Sequence, residues 1–344
     1  MEKPAVKVAF TDFWDDFVPQ NSLIWQLLSR HYELQLSSDP DFLFYSAFGE
    51  RHLRYDCLRI FITGENQVPD FNICDYATGF EYMELGDRYL RFPNGYYYTG
   101  DWQEMEKKHL ASMEEWGKRD KFCAFVISNP ISAPERSLFV EKLASLGQVD
   151  SGGRWRNNVG GPVKDKRAFL RSYRFSLALE NVSHPGYVTE KLVQAFATGT
   201  IPIYWGDPLV GKMFNTGAFV NCNDYPSPDD AVSAVERLMN DPQEMERMLR
   251  TPALLREEDS IESATARLEE FLCHIISQGP ESAGRCSRQY WGKRYLDRQR
   301  MFSKAYSRSL RGIAEAVYKK TLWKWRRSST VASRIDRLFK SISR

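Results

Sequence analysis

The run from Tyr173 to Gly206 constrains this 344-residue chain more than any other stretch. Apolar side chains alternate over Tyr173–Leu179 and the turn formers Pro185 and Gly186 follow, which predicts a strand ended by a polar loop. From Thr189 the apolar positions Leu192, Val193, Ala195 and Phe196 take helical spacing, and residues 201–204 read as a second strand. The helix begins inside the polar stretch. Its unpaired N–H groups and positive dipole end attract phosphate oxygens, and the Lys191 ammonium adds a full charge beside them. Glu190 suits a different partner, because a carboxylate repels phosphate while its two oxygens match two vicinal sugar hydroxyls. Asn181 and Tyr187 can supply neutral hydrogen bonds nearby. Taken singly, Glu190 and Lys191 read more readily as solvated helix-start residues; together, the four describe a place to hold a phosphorylated ligand.

The same alternation recurs along the chain. Strand patterns occupy residues 6–10, 32–36, 41–47 and 58–63, with a helix over 21–30, and Glu65 follows the last of these strands. The charged stretch 101–121 predicts a surface helix leading to a second unit, in which a strand over 122–127 precedes a helix over 132–147. Further helices are expected over 229–239 and 261–276. The glycine-rich residues 149–162 match neither a Walker A loop nor a GxGxxG fingerprint, and fit a ligand loop and a sharp structural turn equally. Alternating strands and helices predict parallel sheets with a crevice at their carboxyl ends. The expected organisation is one α/β unit over residues 1–115, a second over 120–280, and a basic helical tail over 285–344.

Charge is divided as sharply as structure. Residues 288–344 hold 17 Lys/Arg against three acids, a net +14, which leaves −12 on the remainder. No stretch approaches 18 uncharged apolar residues, and the first residues enter a strand pattern at once, so the expectation is an intracellular protein without a transmembrane span. The six cysteines form no CxxC and the five histidines do not cluster, which argues for thiols rather than bridges and against a structural metal. The tail alone would suit nucleic acid, but the acidic remainder and the lack of a recognition motif oppose that reading.

Several motifs in order carry a resemblance. Leu179-Glu180-Asn181, Tyr187-Val188-Thr189-Glu190-Lys191 and Ile201-Pro202-Ile203-Tyr204-Trp205-Gly206 resemble the nucleotide-sugar signature of glycosyltransferase family 10, notably its bacterial alpha-1,3-fucosyltransferases. Leucine stands where the family usually has phenylalanine, and His184 and Pro185 depart from its usual loop. Four earlier stretches fit the same family: 61–66 with 69–71, 75–80, 87–91, and 125–130 with 134–136.

The resemblance implies GT-B architecture, two Rossmann-like domains facing across a cleft, with the acceptor side in 1–115 and the donor side in 120–280. It implies GDP-beta-L-fucose as donor, no tightly bound cofactor, and inverting transfer to the 3-hydroxyl of N-acetylglucosamine in N-acetyllactosamine, or of glucose in lactose. Glu65 becomes the expected general base. Arg136 and Lys191 are expected to bind the diphosphate and stabilise the departing GDP, so that the chemical step needs no divalent metal. Glu190 is expected on the ribose, with Asn181 and Tyr187 as further donor contacts. Acceptor choice is expected in Trp14, residues 75–80 and the Tyr96, Tyr97, Tyr98 cluster. The tail, with Val331, Ile335, Leu338, Phe339 and Ile342 at helical spacing among basic residues, suits an anionic membrane surface, on the inner face of a bacterial cytoplasmic membrane.

Overall fold

Eleven strands, all paired in parallel, make two sheets in the computed structural model, which describes residues 2–108, 113–130 and 132–317. The first contains β1 (Ala5–Thr11), β2 (Glu33–Leu36), β3 (Phe42–Tyr45), β4 (Leu58–Ile62), β5 (Tyr76–Gly79) and β6 (Tyr89–Arg91), in the order β2-β1-β3-β4-β5-β6. The second contains β7 (Lys121–Phe125), β8 (Val149–Ser151), β9 (Tyr173–Leu179), β10 (Ile201–Trp205) and β11 (Val220–Asn221), in the order β11-β10-β9-β7-β8. Every residue of β3, β4, β5 and β10 is buried, as befits parallel strands covered on both faces. In each sheet the strand order reverses once, between β1 and β3 and between β7 and β9. Those two switch points are where open α/β sheets leave a crevice.

Helices close the sheets, and their starts are written in the sequence. Ser22, Ser227, Asp241 and Ser260 each accept a backbone N–H from the first turn of the helix they precede, and Pro228 and Pro242 occupy first helical positions. One apolar cluster runs from Val8, Phe44 and Ile60 through Trp102 to Leu192 and Phe196, and on to Leu268 and Leu272. The two sheets therefore share a core, built by the helices Thr99–Glu106, Glu190–Ala197 and Ile261–Ser277. A second cluster covers the far face of the second sheet with Phe139, Leu143, Val235 and Met245.

The stretch expected as a surface helix is different. It holds two helices, Thr99–Glu106 and Met113–Gly117, and Asp101, Trp102, Met105 and Trp116 are buried. Trp102 and Met105, three apart, insert between the sheets despite the charged residues around them. The glycine-rich stretch is a folded turn that contains β8. Asn157 Nδ2 donates to the carbonyls of Ser151 (3.0 Å) and Gly153 (2.7 Å), and its Oδ1 accepts from Gly161 N (2.8 Å). A Cβ at Gly153 would lie 2.0 Å from the Ile127 carbonyl oxygen, so glycine is needed there for backbone contact with the end of β7.

Beyond Ile261–Ser277 the chain runs along the first sheet's domain. The backbone N–H groups of Arg285 and Cys286 donate to Asp75 Oδ1 (2.9 and 2.8 Å), and the Arg288 guanidinium meets Asp75 Oδ2 at 2.6 Å. Tyr295 donates to Asp70 (2.7 Å), and Arg300 reaches the Leu53 carbonyl and Asp56, both at 2.6 Å. Part of the basic segment thus answers acids of the first domain. The other side of the helix Tyr290–Arg308 leaves Trp291, Met301 and Phe302 exposed. The amphipathic helix expected through Val331 and Ile342 lies outside the described residues. Among the described residues no helix is long and apolar enough to cross a membrane, and all six cysteines are free thiols.

Candidate active site

The β7/β9 switch point gathers most of the residues singled out in the sequence. Strand β9 ends at Leu179 and delivers Glu180 and Asn181, while the helix Pro134–Leu143 after β7 carries Arg136 in its first turn. Arg136 has no solvent exposure. It donates to Asn181 Oδ1 (2.8 Å) and to the Asn129 carbonyl, and its guanidinium lies 4.8 Å over the Trp155 ring. Burial pulls its pKa down to about 10, partly offset by Glu180, so it remains a cation at neutral pH. Its buried Nε has no hydrogen-bond partner within the protein, which suits an anionic ligand with oxygens to spare.

Lys191 stands across from it in the first turn of the helix Glu190–Ala197. Its Nζ donates to Glu180 Oε2 and Thr189 Oγ1, each at 2.9 Å, and lies 3.9 Å from Glu190. Burial opposes the Lys191 charge, but Glu180 and Glu190 outweigh it and lift its pKa above the usual lysine value. Glu180 itself has no exposed surface; it also accepts from Thr189 N (2.8 Å) and Thr189 Oγ1 (2.7 Å) at the helix start. Glu190 is partly exposed. Its burial is outweighed by Lys191 and Lys166, which hold it ionised below the ordinary glutamate range. A charged carboxylate beside two ammonium groups can accept from both hydroxyls of a diol. Tyr187 is buried against Phe80 of the first domain, ring centroids 5.1 Å apart, and burial raises its pKa.

Glu65 comes from the other sheet, just past β4. Its backbone is fixed by a local turn in which Glu65 N donates to Thr63 Oγ1 (3.0 Å). A Cβ on Gly64 would sit 2.7 Å from Asn94 Oδ1, so glycine there lets Asn94 approach the base of Glu65. The side chain faces a cleft of about 520 Å³ at the β1/β3 switch point, with Phe13, Trp14, Phe17, Phe48, Tyr97 and Tyr98 in its walls. Desolvation raises the Glu65 pKa against the pull of Lys191, and Glu190 and Glu180 add to the rise. Charges from the second domain therefore act on a carboxylate of the first. A glutamate poised upward, with the Lys191 ammonium within electrostatic reach, can take a proton from an alcohol while charge builds on a leaving phosphate.

Of the six residues singled out in the sequence only Glu65 lines this cleft; Arg136, Asn181, Glu190 and Lys191 gather at the β7/β9 switch point, with Lys191 and Glu190 near enough to act on Glu65, and Tyr187 is buried against Phe80. The acceptor residues divide. Trp14, Tyr97 and Tyr98 line the cleft, whereas Tyr96 is packed at 4.2 Å on Trp102 and Asp75 is buried under Arg288. Sequence reasoning gave Glu180 no role, although it stands in the Leu179-Glu180-Asn181 motif between an apolar strand and the polar loop. It also missed Lys166, which donates to Gln194 Oε1, while Gln194 Nε2 donates to Asp101 Oδ2 at 2.7 Å. Nothing in the spacing of Asp101, Lys166 and Gln194 connects them; the packing of three helices does.

Comparison with known proteins agrees with this geometry. Residues 8–98 match the alpha-(1,3)-fucosyltransferase FucT N-terminal domain, and residues 116–285 match the C-terminal part of glycosyltransferase family 10 (fucosyltransferase). The alpha-(1,3)-fucosyltransferase FucT of Helicobacter pylori is 35% identical over 277 residues, covering 68% of this chain and 57% of that protein. A putative fucosyltransferase of Acanthamoeba polyphaga mimivirus is 27% identical over 235 residues, 64% of this chain and 37% of its own. The chain thus spans less than two thirds of the length of either relative. A crystal structure of alpha1,3-fucosyltransferase with GDP-fucose superposes with a TM-score of 0.66 at 30% identity, over 79% of this chain and 91% of that one. Anabaena HepE, solved with UDP and glucose, shares the fold alone, with a TM-score of 0.50 at 8% identity over 78% of this chain and 100% of that one. Two Rossmann-like domains meeting at their switch points are the GT-B architecture, and with both halves of the fold matched in order, the chain belongs to glycosyltransferase family 10.

Proposed function

We propose that this chain is an inverting alpha-1,3-fucosyltransferase that moves L-fucose from GDP-beta-L-fucose to the 3-hydroxyl of N-acetylglucosamine in N-acetyllactosamine, or of glucose in lactose, giving Lewis x-type products. The observation that carries the reading is Glu65, a carboxylate in the wall of the first-domain cleft near enough to Lys191 to feel its charge, with Lys191 and Arg136 both fixed at the β7/β9 switch point. Glu65 takes the acceptor proton as the hydroxyl oxygen bonds to the fucosyl carbon and the bond to the GDP phosphate oxygen breaks. One displacement turns the beta-linked donor into an alpha-linked product. Lys191 and Arg136 receive the diphosphate charge, which leaves no requirement for Mg²⁺ or Mn²⁺ in the chemical step. Glu190 holds the ribose hydroxyls, and Asn181, fixed by Arg136, presents its amide to the same ligand.

Purified protein incubated with GDP-fucose and N-acetyllactosamine or lactose, in EDTA, should yield an alpha-1,3-linked product on linkage analysis. Transfer to the 4-hydroxyl, or from a different GDP-sugar only, would overturn the assignment while keeping the family. We also propose peripheral attachment to an anionic membrane, supported by Trp291, Met301 and Phe302 exposed beside Arg294 and Arg298 and by the basic residues that follow. Removing residues 316–344 should release the protein from membrane fractions and spare activity on soluble acceptors.

A further inference from the structure

Strand β4 reads Leu-Arg-Ile-Phe-Ile and lies between β3 and β5, inside the first sheet. Its alternation sends Leu58, Ile60 and Ile62 into the large shared core, while Phe61 joins a small cluster on the opposite face with Tyr45, Cys74, Ala77 and Tyr89. Arg59 belongs to that second face. It is 1% exposed, and arginine is almost never buried so fully without a partner. Its Nε and Nη1 nevertheless make no hydrogen bond among the described residues.

The carboxylate beside it has nothing left to offer. Asp75 Oδ1 accepts from the backbone N–H groups of Arg285 (2.9 Å) and Cys286 (2.8 Å), and Oδ2 accepts from Arg59 N (3.0 Å) and Arg288 Nη2 (2.6 Å). Two bonds on each oxygen fill the four acceptor places of a carboxylate. Arg88 brings a third guanidinium, whose donors go to the neutral carbonyls of Phe71 (2.9 Å), Cys74 (3.0 Å) and Asp75 (3.0 Å). Asp70, further along the same loop, is engaged by Asn72 and Tyr295. Three positive side chains thus meet at the single negative charge of Asp75. Burial and the Arg288 charge both push the Arg59 pKa down, and Asp75 opposes them. Water could satisfy the free donors but would leave the charge; an anion answers both.

We propose that a small inorganic monoanion of the chloride class binds against Arg59 Nε and Nη1, beneath residues 285–288. The surroundings are buried and closely packed by Tyr45, Phe61 and Cys74, which suits a guest of one atom rather than a phosphate or an organic acid. The anion neutralises Arg59 and relieves its repulsion from Arg288. Anion binding and the seating of residues 285–288 on Asp75 therefore favour each other. The site lies in the first domain, away from the β7/β9 switch point, and does not depend on the fucosyltransferase reading.

The test is the melting temperature of the full chain at fixed ionic strength, with chloride replacing isethionate and GDP present to occupy Arg136 and Lys191. Each tenfold rise in chloride beyond its Kd should raise the wild-type value by about 2–3 °C. Arg59→Met removes the charge and keeps much of the bulk, and should abolish that slope. Because the variant alone can fail by misfolding, wild-type crystals grown in bromide supply a second readout: an anomalous peak within hydrogen-bonding reach of Arg59 Nε and Nη1. A wild-type melting temperature indifferent to chloride, or equal slopes in wild type and Arg59→Met, would overturn the site. So would water-like density at Arg59 with no anomalous signal. A bromide peak without any chloride dependence of melting would mark an adventitious ion only, and would overturn it as well.

Discussion

The Glu180 carboxylate lies 2.9 Å from the Lys191 ammonium, and no part of Glu180 reaches solvent. The side chain proposed to meet the diphosphate is thus charged and aimed by one that no solvent reaches. Glu180→Ala leaves a buried ammonium short of its counter-ion and should destabilise the fold by about 3–5 kcal/mol in denaturant titrations. Glu180→Gln keeps the hydrogen-bonding shape and removes the charge. It should raise donor KM and lower kcat/KM about 10-fold, less than the roughly 100- to 1,000-fold cost of losing a group that meets the reacting charge. Wild-type donor kinetics in Glu180→Gln would show that Lys191 needs no counter-ion.

Glu65 acts as a base only when ionised, so turnover should fall as pH drops through its pKa, which desolvation places above the ordinary glutamate range. Glu65→Gln should abolish transfer and with it this acidic limb of the pH profile. The same shift bears on stability. A carboxyl whose folded pKa is raised favours the folded state when protonated, and that contribution is lost as pH rises from the unfolded value through the folded one. At neutral pH the ionised Glu65 is therefore a cost, one that its exposed side chain keeps small, and Glu65→Gln should melt no lower than wild type at pH 7, with any gap closing in acid. A lower melting temperature at pH 7 would contradict the shift.

For Glu190 the discriminating ligand is GDP without its ribose hydroxyls. Wild-type protein should bind 2′,3′-dideoxy-GDP about 10-fold more weakly than GDP by calorimetry, and Glu190→Gln should show a much smaller difference between the two. An unchanged difference would move the ribose away from Glu190.

Arg136→Lys tests shape against charge. The guanidinium spans Asn181, the Asn129 carbonyl and the Trp155 ring at once, which a lysine cannot do. GDP affinity should fall about 10- to 100-fold although the net charge is unchanged. Full retention would reduce Arg136 to a point charge.

Much of this site was legible because its residues sit where strands end. Glu65 after β4, Asn181 after β9 and Lys191 in a first helical turn are placed at element ends by apolar runs and turn formers, while the family motifs gave them their roles; Glu180, in the same motif, was given none. The network of Asp101, Gln194 and Lys166 was not legible, because it depends on three helices meeting between the sheets. The stretch holding Thr99–Glu106 misled for the same reason: charged residues outnumber apolar ones, and only the tertiary fit of Trp102 and Met105 buries it. β5 and β6 hid inside motif residues, since four- and three-residue strands carry too little period to show.

Because Arg288, Tyr295 and Arg300 moor the late part of the chain to Asp75, Asp70 and Asp56, positions as distant in sequence as Lys7 and Lys304 belong to the same half of the fold. A swing that brought the nucleotide side toward Glu65 would leave the spacing of those two lysines constant, while Glu236 on the other half changed its distance to both. Fluorophores at the three positions would therefore give one fixed ruler and two moving ones.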